Sequence, residues 1–348
     1  MYDVQGIRRS NPIADIITNS GVELRRLGQR LTGRCPFHGD TRPSLVVYPQ
    51  AANYYCFGCG AGGDVIDFVS RVNGVGFVAA VRMLNGEAPM KCTSVIEAAH
   101  RFTLNPPTKA QVRVIDAAAT FYHESLLCSP SALAYLALRG IDPETVRRRR
   151  IGYGIRGLAP YLPRRGLRLD DARALGLIIG RRETMLGRIV VPDLRAPQAT
   201  WLTGRMLSEA TPRYLNLRLP TPLVGLAQVS GNAVIVAEGV FDWLTLSQWA
   251  FPAVALLGTR TSKRIVETLR RFRSVYIALD SDDAGQHASA ELASALGRNA
   301  AVVELPTGIH DLNDLGRSTD GRQAFERCLE LANNGRKIVW TTDEQQAR

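Results

Sequence analysis

The chain has 348 residues, 45% of them apolar and 22% charged, a balance that excludes a disordered polymer and leaves room for two or three domains with cores of their own. Its formal charge of +11 and pI near 9.7 point to a polyanionic partner, because neutralising phosphates releases condensed counterions, although the run Arg147 to Arg150 read alone is a solvated basic face. No secretory leader and no uninterrupted apolar span is legible, so no membrane is expected among its partners and a cytoplasmic protein is.

Asn11-Pro12 predicts a helix start, with Ile13, Ile16 and Ile17 on one face and Gly21 as the stop. Next come Cys35 and His38, then Cys56 and Cys59. These are two pairs of metal-ligand type with two residues inside each pair. Pro36 stiffens the first turn and Gly58 and Gly60 relax the second, while the spacer LVVYPQAANYYCF reads as two strands around a turn. The set suits one closed, structural Zn²⁺ site on a β-ribbon, and the alternative is that the cysteines are buried apolar side chains and His38 lies at the surface. The other cysteines, Cys92, Cys128 and Cys328, are scattered and form no disulfide framework.

Asp64 is placed to cap a helix bearing Val65, Val69 and Val72 that ends at Gly74, and Phe77, Ala80, Val81 and Leu84 mark another. The run Cys35-Pro-Phe-His38 with Pro43-Ser44, Cys56-Phe-Gly-Cys59-Gly and Asp64-Val-Ile-Asp67-Phe-Val resembles the zinc ribbon of bacterial and phage DnaG-type primases. That resemblance implies contact with single-stranded template, for which Tyr54, Tyr55 and Arg42 are the candidates, the tyrosines by stacking on bases. The alternation of a strand sends at least one of these rings into the core.

The segment 103–111, with Pro106-Pro107, reads as a linker, and helical patterns follow to about Gly140. Arg188 to Pro192, Thr200 to Gly204 and Ala233 to Glu238 read as strands. From there helix and strand alternate: a helix at about 241–249, strand 253–257, helix 263–271, strand 275–280, helix 284–296 and strand 301–305. This is the signature of a parallel sheet covered by helices, where ligands gather at the carboxyl ends of the strands. Here those ends are acidic, with Glu238 closing one strand, Asp280 another, Asp282 one residue on, Asp242 a turn into a helix, and Asp311 and Asp314 after the last strand. Converging carboxylates without a local cation repel one another, and a hard divalent ion, Mg²⁺ or Mn²⁺, relieves that repulsion. Singly, Asp282 is as compatible with helix capping, and Glu238 with an edge charge.

Ala237-Glu238-Gly239-Val-Phe-Asp242 and Leu279-Asp280-Ser-Asp282-Asp-Ala-Gly285 resemble the Toprim domain of DnaG-type primases, topoisomerases and certain nucleases. Upstream, Gly187-Arg188-Ile, Thr203-Gly204-Arg205, Pro212-Arg213-Tyr214-Leu-Asn216 and Leu223-Val-Gly225-Leu are similar to the basic half of the primase core. The implied fold is a multidomain α/β chain. It has an N-terminal β-zinc ribbon with flanking helices (1–102), a linker (103–111), a basic half-core (112–230), a Rossmann-like Toprim domain with a parallel sheet (231–320) and a C-terminal helix and tail (321–348). The implied activity is synthesis of short RNA primers on single-stranded DNA from nucleoside triphosphates. Glu238, Asp280 and Asp282 are then catalytic, and Mg²⁺ or Mn²⁺ is held by these with Asp242 and Asp311. Arg188, Arg205, Arg213, Tyr214 and Asn216 are on nucleotide or DNA. Where cellular relatives commonly carry Asp-Pro-Asp, this chain has Asp311-Leu-Asn313-Asp314, which leaves open whether Asn313 or Asp314 serves the site. Few residues follow that motif, so a compact form without a helicase-binding domain, of phage, plasmid or integrated-element type, is expected, one that could prime alone, act with a separate replicative helicase or be a degenerate relative. The alternatives are a Toprim nuclease or topoisomerase and a non-catalytic single-strand-binding replication factor.

Overall fold

The computed structural model describes residues 3–37, 40, 43–58, 60–88, 106–208, 213–258 and 262–334. The chain divides into two compact units. One comprises Met1–Thr108, Asp170–Thr184 and Ser208–Thr221, and the other Lys109–Leu169, Met185–Leu207 and Pro222–Arg348.

The first unit opens with helices Val4–Ser10 and Ile13–Asn19 and continues into a five-stranded antiparallel sheet. Its strands are β1 (Leu24–Leu27), β2 (Arg30–Gly33), β3 (Leu45–Tyr48), β4 (Asn53–Cys56) and β5 (Gly62–Gly63), in sequential order. The hairpin of β1 and β2 is not legible in the sequence, because LRRLGQRLTG scatters arginines over both faces and hides the period of two. The β3–β4 hairpin is the expected ribbon, in register Leu45↔Cys56 and Val47↔Tyr54. One sheet face carries Leu45, Val47, Tyr54 and Cys56 into a core shared with Ile13, Ile17, Ile66, Phe68 and Val81. Phe37, Tyr54 and Phe68 form a triangle of rings with centroids 5.3 to 5.9 Å apart. The Arg71 guanidinium lies 5.4 Å from the Phe37 ring centre. The helix Val65–Asn73 begins where expected: Asp64 accepts from the Ile66 and Asp67 amides while Asp67 accepts from the Asp64 amide, and Gly74 ends it at φ +64°. Asp64 also pairs with Arg8.

In the second unit the long helix Lys109–Leu127 packs on an antiparallel hairpin of β9 (Arg188–Arg195) and β10 (Gln198–Met206), to which the short β6 (Gly152–Tyr153) is added. Pro192 is tolerated inside β9 because β6 reaches only Ile189 and Val190, so no ladder bond is asked of its nitrogen on that side. The second sheet has the order β13-β12-β14-β15, from β12 (Ala233–Ala237), β13 (Ala253–Ala255), β14 (Ser274–Ala278) and β15 (Ala300–Val302), all parallel, with helices Val240–Gln248, Lys263–Leu269 and Asp283–Leu296 in the crossovers. This is the expected parallel sheet, with strands shorter than the apolar runs that announced them. Val234, Val236, Val254, Val275, Ile277 and Leu292 close its core.

The run Arg147 to Arg150 is only in part the solvated face its sequence suggests: Arg147 and Arg148, which end the helix Pro143–Arg148 capped by Asp142, are exposed, and Arg149 and Arg150 are half-buried. Arg148 donates to the Ser247 carbonyl, and Arg149 donates to the Ser247 hydroxyl while its guanidinium lies 4.9 Å from the Trp243 ring centre. Arg150 pairs with Asp116 at 2.7 Å and donates to Thr120. Burial lowers the Arg149 pKa to about 10.

The ring triangle fixes the core of the small first unit. Phe68→Ala is expected to lower its stability by about 3–5 kcal/mol, since a fully buried ring leaves a cavity that short strands cannot collapse to fill. Denaturant unfolding of the zinc-loaded chain, followed through this unit, checks it; a loss under about 1 kcal/mol contradicts the role given to the triangle.

Candidate active site and zinc ribbon

The acidic residues meet where the sheet topology sends them. Glu238 follows β12 and Asp280 lies two residues past β14, at the carboxyl ends of adjacent parallel strands. The backbone crosses from Glu238 into the next helix at Gly239, whose amide donates to Asp242 Oδ2 at 3.0 Å. The other oxygen of Asp242, Oδ1, accepts the Asn313 amide at 2.9 Å. Asp242 is thus an almost fully buried brace between the Glu238 turn and the last acidic loop, with both oxygens taken by backbone N–H groups. Such a residue supports the site from behind, and each of its oxygens keeps a further lone pair that a metal could use. Asp282 and Asp311 have a double character. Each caps a helix, accepting from Gly285 at 2.8 Å and from Asp314 at 2.6 Å, and each interacts electrostatically with the buried carboxylates. Ser281 ties the two acid-bearing loops together, its amide and hydroxyl donating to the His310 and Ile309 carbonyls. Leu257, at φ +60°, has its amide on the Glu238 carbonyl, so a backbone conformation rare for leucine borders the same corner.

The electrostatics are those of a discharged cation site. Burial first, and then the Asp242, Glu238, Asp311 and Asp282 charges, push Asp280 up to about 8. Glu238 is raised to about 7 by burial and by Asp282 and Asp242, against a bond from the Asp280 amide that favours its charged form. Asp242 is raised to about 6, by burial and Asp311. Oε2 of Glu238 is buried and has no hydrogen-bond partner among the described residues. A divalent cation answers both features, since it neutralises the mutual repulsion and gives that oxygen a partner.

The ribbon site is described in part. His38 and Cys59 lie outside the described residues, as does Arg42. Cys35 Sγ accepts the Phe37 amide at 3.4 Å, and Cys56 Sγ accepts the Gly58 amide at 3.3 Å and faces the Ser44 hydroxyl at 3.2 Å. Amides aimed at both sulfurs from two residues downstream stabilise thiolates, and this fits zinc. Asp40, which belongs to no ligand spacing in the sequence, gathers the knuckle: its Oδ2 accepts from the Cys35 amide, the Ser44 amide and the Ser44 hydroxyl at 2.7, 3.0 and 2.6 Å.

Tyr54 and Tyr55 are each 1% exposed, which corrects the expectation of base stacking. Tyr54 belongs to the core triangle, where burial raises its phenol pKa. Tyr55 packs edge-on against Phe57, and its hydroxyl accepts the Asn216 amide at 2.9 Å. Phe57, 43% exposed, is the ring on this ribbon that reaches solvent. Of the basic set, Arg213 is exposed, and Tyr214 and Asn216 form the half-buried β11 (Tyr214–Asn216) of the first unit. Arg188 and Arg205 are buried on the β9–β10 hairpin. Arg188 donates to the Gly204 carbonyl, and the Arg205 guanidinium lies 5.5 and 4.9 Å from the ring centres of Tyr135 and Phe241. Arg205 therefore stands one residue away from Asp242 along the helix that leaves the site.

Residues 2–99 match the CHC2 zinc finger family and residues 235–316 the Toprim-like family. The chain is 29% identical to the DNA primase of Clostridium acetobutylicum, covering 94% of this chain and 58% of that one. It is 32% identical to the DNA primase of Escherichia coli K12, covering 92% and 60%. It therefore spans somewhat less than two thirds of these curated relatives. The zinc-binding and RNA polymerase domains of the Aquifex aeolicus primase superpose with a TM-score of 0.57 at 27% identity, covering 97% of this chain and 86% of that one. A DnaG primase catalytic domain bound to single-stranded DNA superposes with a TM-score of 0.54 at 27% identity, covering 64% and 81%. Ribbon motif, acid-ended parallel sheet and similarity over most of the chain agree: this chain carries a CHC2-type zinc ribbon and a Toprim-like domain, with the zinc and divalent-metal binding they imply, and is similar over most of its length to DnaG-type primases.

Proposed function

We propose that this chain is a DNA primase, joining ribonucleotides into short primers on single-stranded DNA. The observation that carries the reading is the group of half-buried Glu238 and Asp280 with buried Asp242, and Asp282 and Asp311 at its rim, at the carboxyl end of a parallel sheet. Similarity over most of the chain to curated primases supports it.

In the proposed reaction the 3′-hydroxyl oxygen of the growing strand attacks the α-phosphorus of a nucleoside triphosphate. One P–O bond forms, the bond to pyrophosphate breaks, and the hydroxyl proton leaves to a base. Glu238 is that base: a carboxylate pushed up to about 7 both exists ionised and accepts a proton readily near neutrality. Asp280, Asp282 and Asp311 are the residues that hold divalent ions, Mg²⁺ or Mn²⁺. Such ions, when bound, lower the pKa of the attacking hydroxyl and neutralise charge on the leaving pyrophosphate. Asp242 keeps the Glu238 turn and the Asp311 loop in place. Arg213, Tyr214 and Asn216 in the first unit, and Arg188 and Arg205 in the second, are proposed for nucleotide or DNA, the exposed Arg213 on triphosphate or template phosphates. The ribbon, residues 1–102, is the proposed template-binding domain, and a separate replicative helicase and a cytoplasmic setting complete the proposal. No helix among the described residues is long and apolar enough to cross a membrane.

Purified protein with zinc and magnesium is expected to make template-dependent oligoribonucleotides on a mixed-sequence single-stranded library, and Glu238→Gln to lose at least about 100-fold in rate. No product from the unaltered chain, beside an active control primase, overturns the reading.

A second expectation follows from the raised carboxylates. Their folded pKa values, about 6 to 8, lie above the unfolded ones near 4, so the folded chain holds protons that the unfolded chain has released. Their contribution is complete below about pH 4 and is lost as pH rises through 6 to 8. In chelator that spares the ribbon zinc, the melting temperature is expected to fall over this window. Mn²⁺ should restore it at the alkaline end, and Asp280→Asn should flatten the dependence; a profile in Asp280→Asn as steep as in the unaltered chain contradicts the assignment.

Removing the ribbon zinc with a strong chelator is expected to unfold the first unit, because structural zinc affinity is folding free energy. Circular dichroism and tyrosine fluorescence of the stripped chain should show lost ribbon structure, recovered on adding zinc and not on adding magnesium.

A further inference from the structure

Asn313 stands in the short helix Leu312–Leu315 that Asp311 caps, at the position the sequence leaves open. Its residue is fully buried, and every bond it makes points into the scaffold. The backbone N–H donates to Asp242 Oδ1. The side-chain Nδ2 donates to the Arg139 carbonyl at 2.9 Å and to Thr245 Oγ1 at 3.1 Å. The Arg139 carbonyl fixes which end of the amide is nitrogen, since exchanging the ends would set oxygen against oxygen. Three elements are joined here: the loop that carries Asp311, the helix Val240–Gln248 through Asp242 and Thr245, and the end of the helix Pro130–Leu138 through Arg139.

We infer that Asn313 is a positioning residue for the divalent-metal site and not one of its ligands: it locks the Asp311 loop onto the Asp242 helix as a neutral staple. A carboxylate here would have no proton for the Arg139 carbonyl and would bring another charge to the buried Asp242. The amide has the two donors the place requires and adds no charge. Of the residues at this corner, Asp311 faces the buried carboxylates electrostatically, and Asp314 interacts with Arg317, 3.7 Å away, on its own short turn. The inference rests on the divalent-metal site proposed above but not on priming.

The test is Mn²⁺ binding to the full, zinc-loaded chain, without template or nucleotide, in the unaltered protein and in Asn313→Asp, Asn313→Ala and Thr245→Val, each checked for folding by circular dichroism. Positioning predicts Mn²⁺ affinity at least about tenfold weaker in both Asn313 variants, and weakened in Thr245→Val, which alters no charge. A ligand role predicts the opposite for Asn313→Asp, tighter binding from an added carboxylate. A purely structural role predicts a lower melting temperature with unchanged Mn²⁺ affinity. Tighter or unchanged binding in folded Asn313→Asp overturns the inference. If that variant does not fold, unchanged binding in Thr245→Val does so. No Mn²⁺ binding by the unaltered chain overturns the metal-site reading itself, and the inference with it.

Discussion

The Toprim-like part of this chain depends on one buried carboxylate whose hydrogen bonds come from the backbone. Asp242 holds the Gly239 amide with one oxygen and the Asn313 amide with the other, so two loops that leave different parts of the parallel sheet are set by a single rigid group. Hydrogen bonds to a charged acceptor are stronger than neutral ones, and inside protein they have little competition from water. The arrangement has an electrostatic cost. The charge that fixes the loops also raises Glu238 and Asp280, and is itself raised by Asp311. The neutral amide of Asn313 limits that cost at the most enclosed point.

The parallel sheet makes this repulsion tolerable. Adjacent strands β12 and β14 run in register from Ala233↔Ser274 to Ala237↔Ala278, over a core of valine and isoleucine, and end together. Glu238 and Asp280 are therefore brought together by strand pairing, and their own interaction disfavours the encounter. The helices that follow then begin at the same edge, where their first amides take the Asp282 and Asp242 side chains. Backbone donors thus offset part of the negative charge, while Oε2 of Glu238 is left buried and without a partner among the described residues. That imbalance distinguishes a binding site from a capped, fully satisfied edge.

Much of this was legible in the sequence. Spacing gave the ribbon hairpin, Asp64 and Gly74 announced both ends of one helix, and alternating apolar runs announced the sheet and the carboxylates at its edge. What escaped depends on contacts between residues far apart. Asp242 reads as one more acid in a cluster until Asn313, 71 residues on, is found bonded to it. Arg149 reads as part of a solvated run until Trp243 is found beneath it. Tyr54 and Tyr55 were candidate stacking rings by type, and only the packing of Phe37, Phe68 and Asn216 around them shows that neither offers a face. Asp282 shows a different limit: capping and metal binding were weighed as alternatives, but a carboxylate has enough lone pairs for one oxygen to cap a helix while the group serves a site.

The two implied metals address opposite physical problems. In the ribbon the sheet has short strands and a small core, and a zinc ion would join the Cys35 and Cys56 turns that Asp40 and Ser44 already hold in place, adding stability where apolar burial is limited. In the Toprim half the apolar core is ample, and the strain lies in charge: protons must occupy the cluster if cations do not. Loss of zinc therefore threatens a fold, whereas loss of the divalent ion leaves a folded sheet whose edge titrates near neutral pH. A group that exchanges protons at that pH while its scaffold stays fixed is suited to taking a proton from an incoming hydroxyl, which is the role proposed for Glu238, whereas an ion in the ribbon would have a structural task.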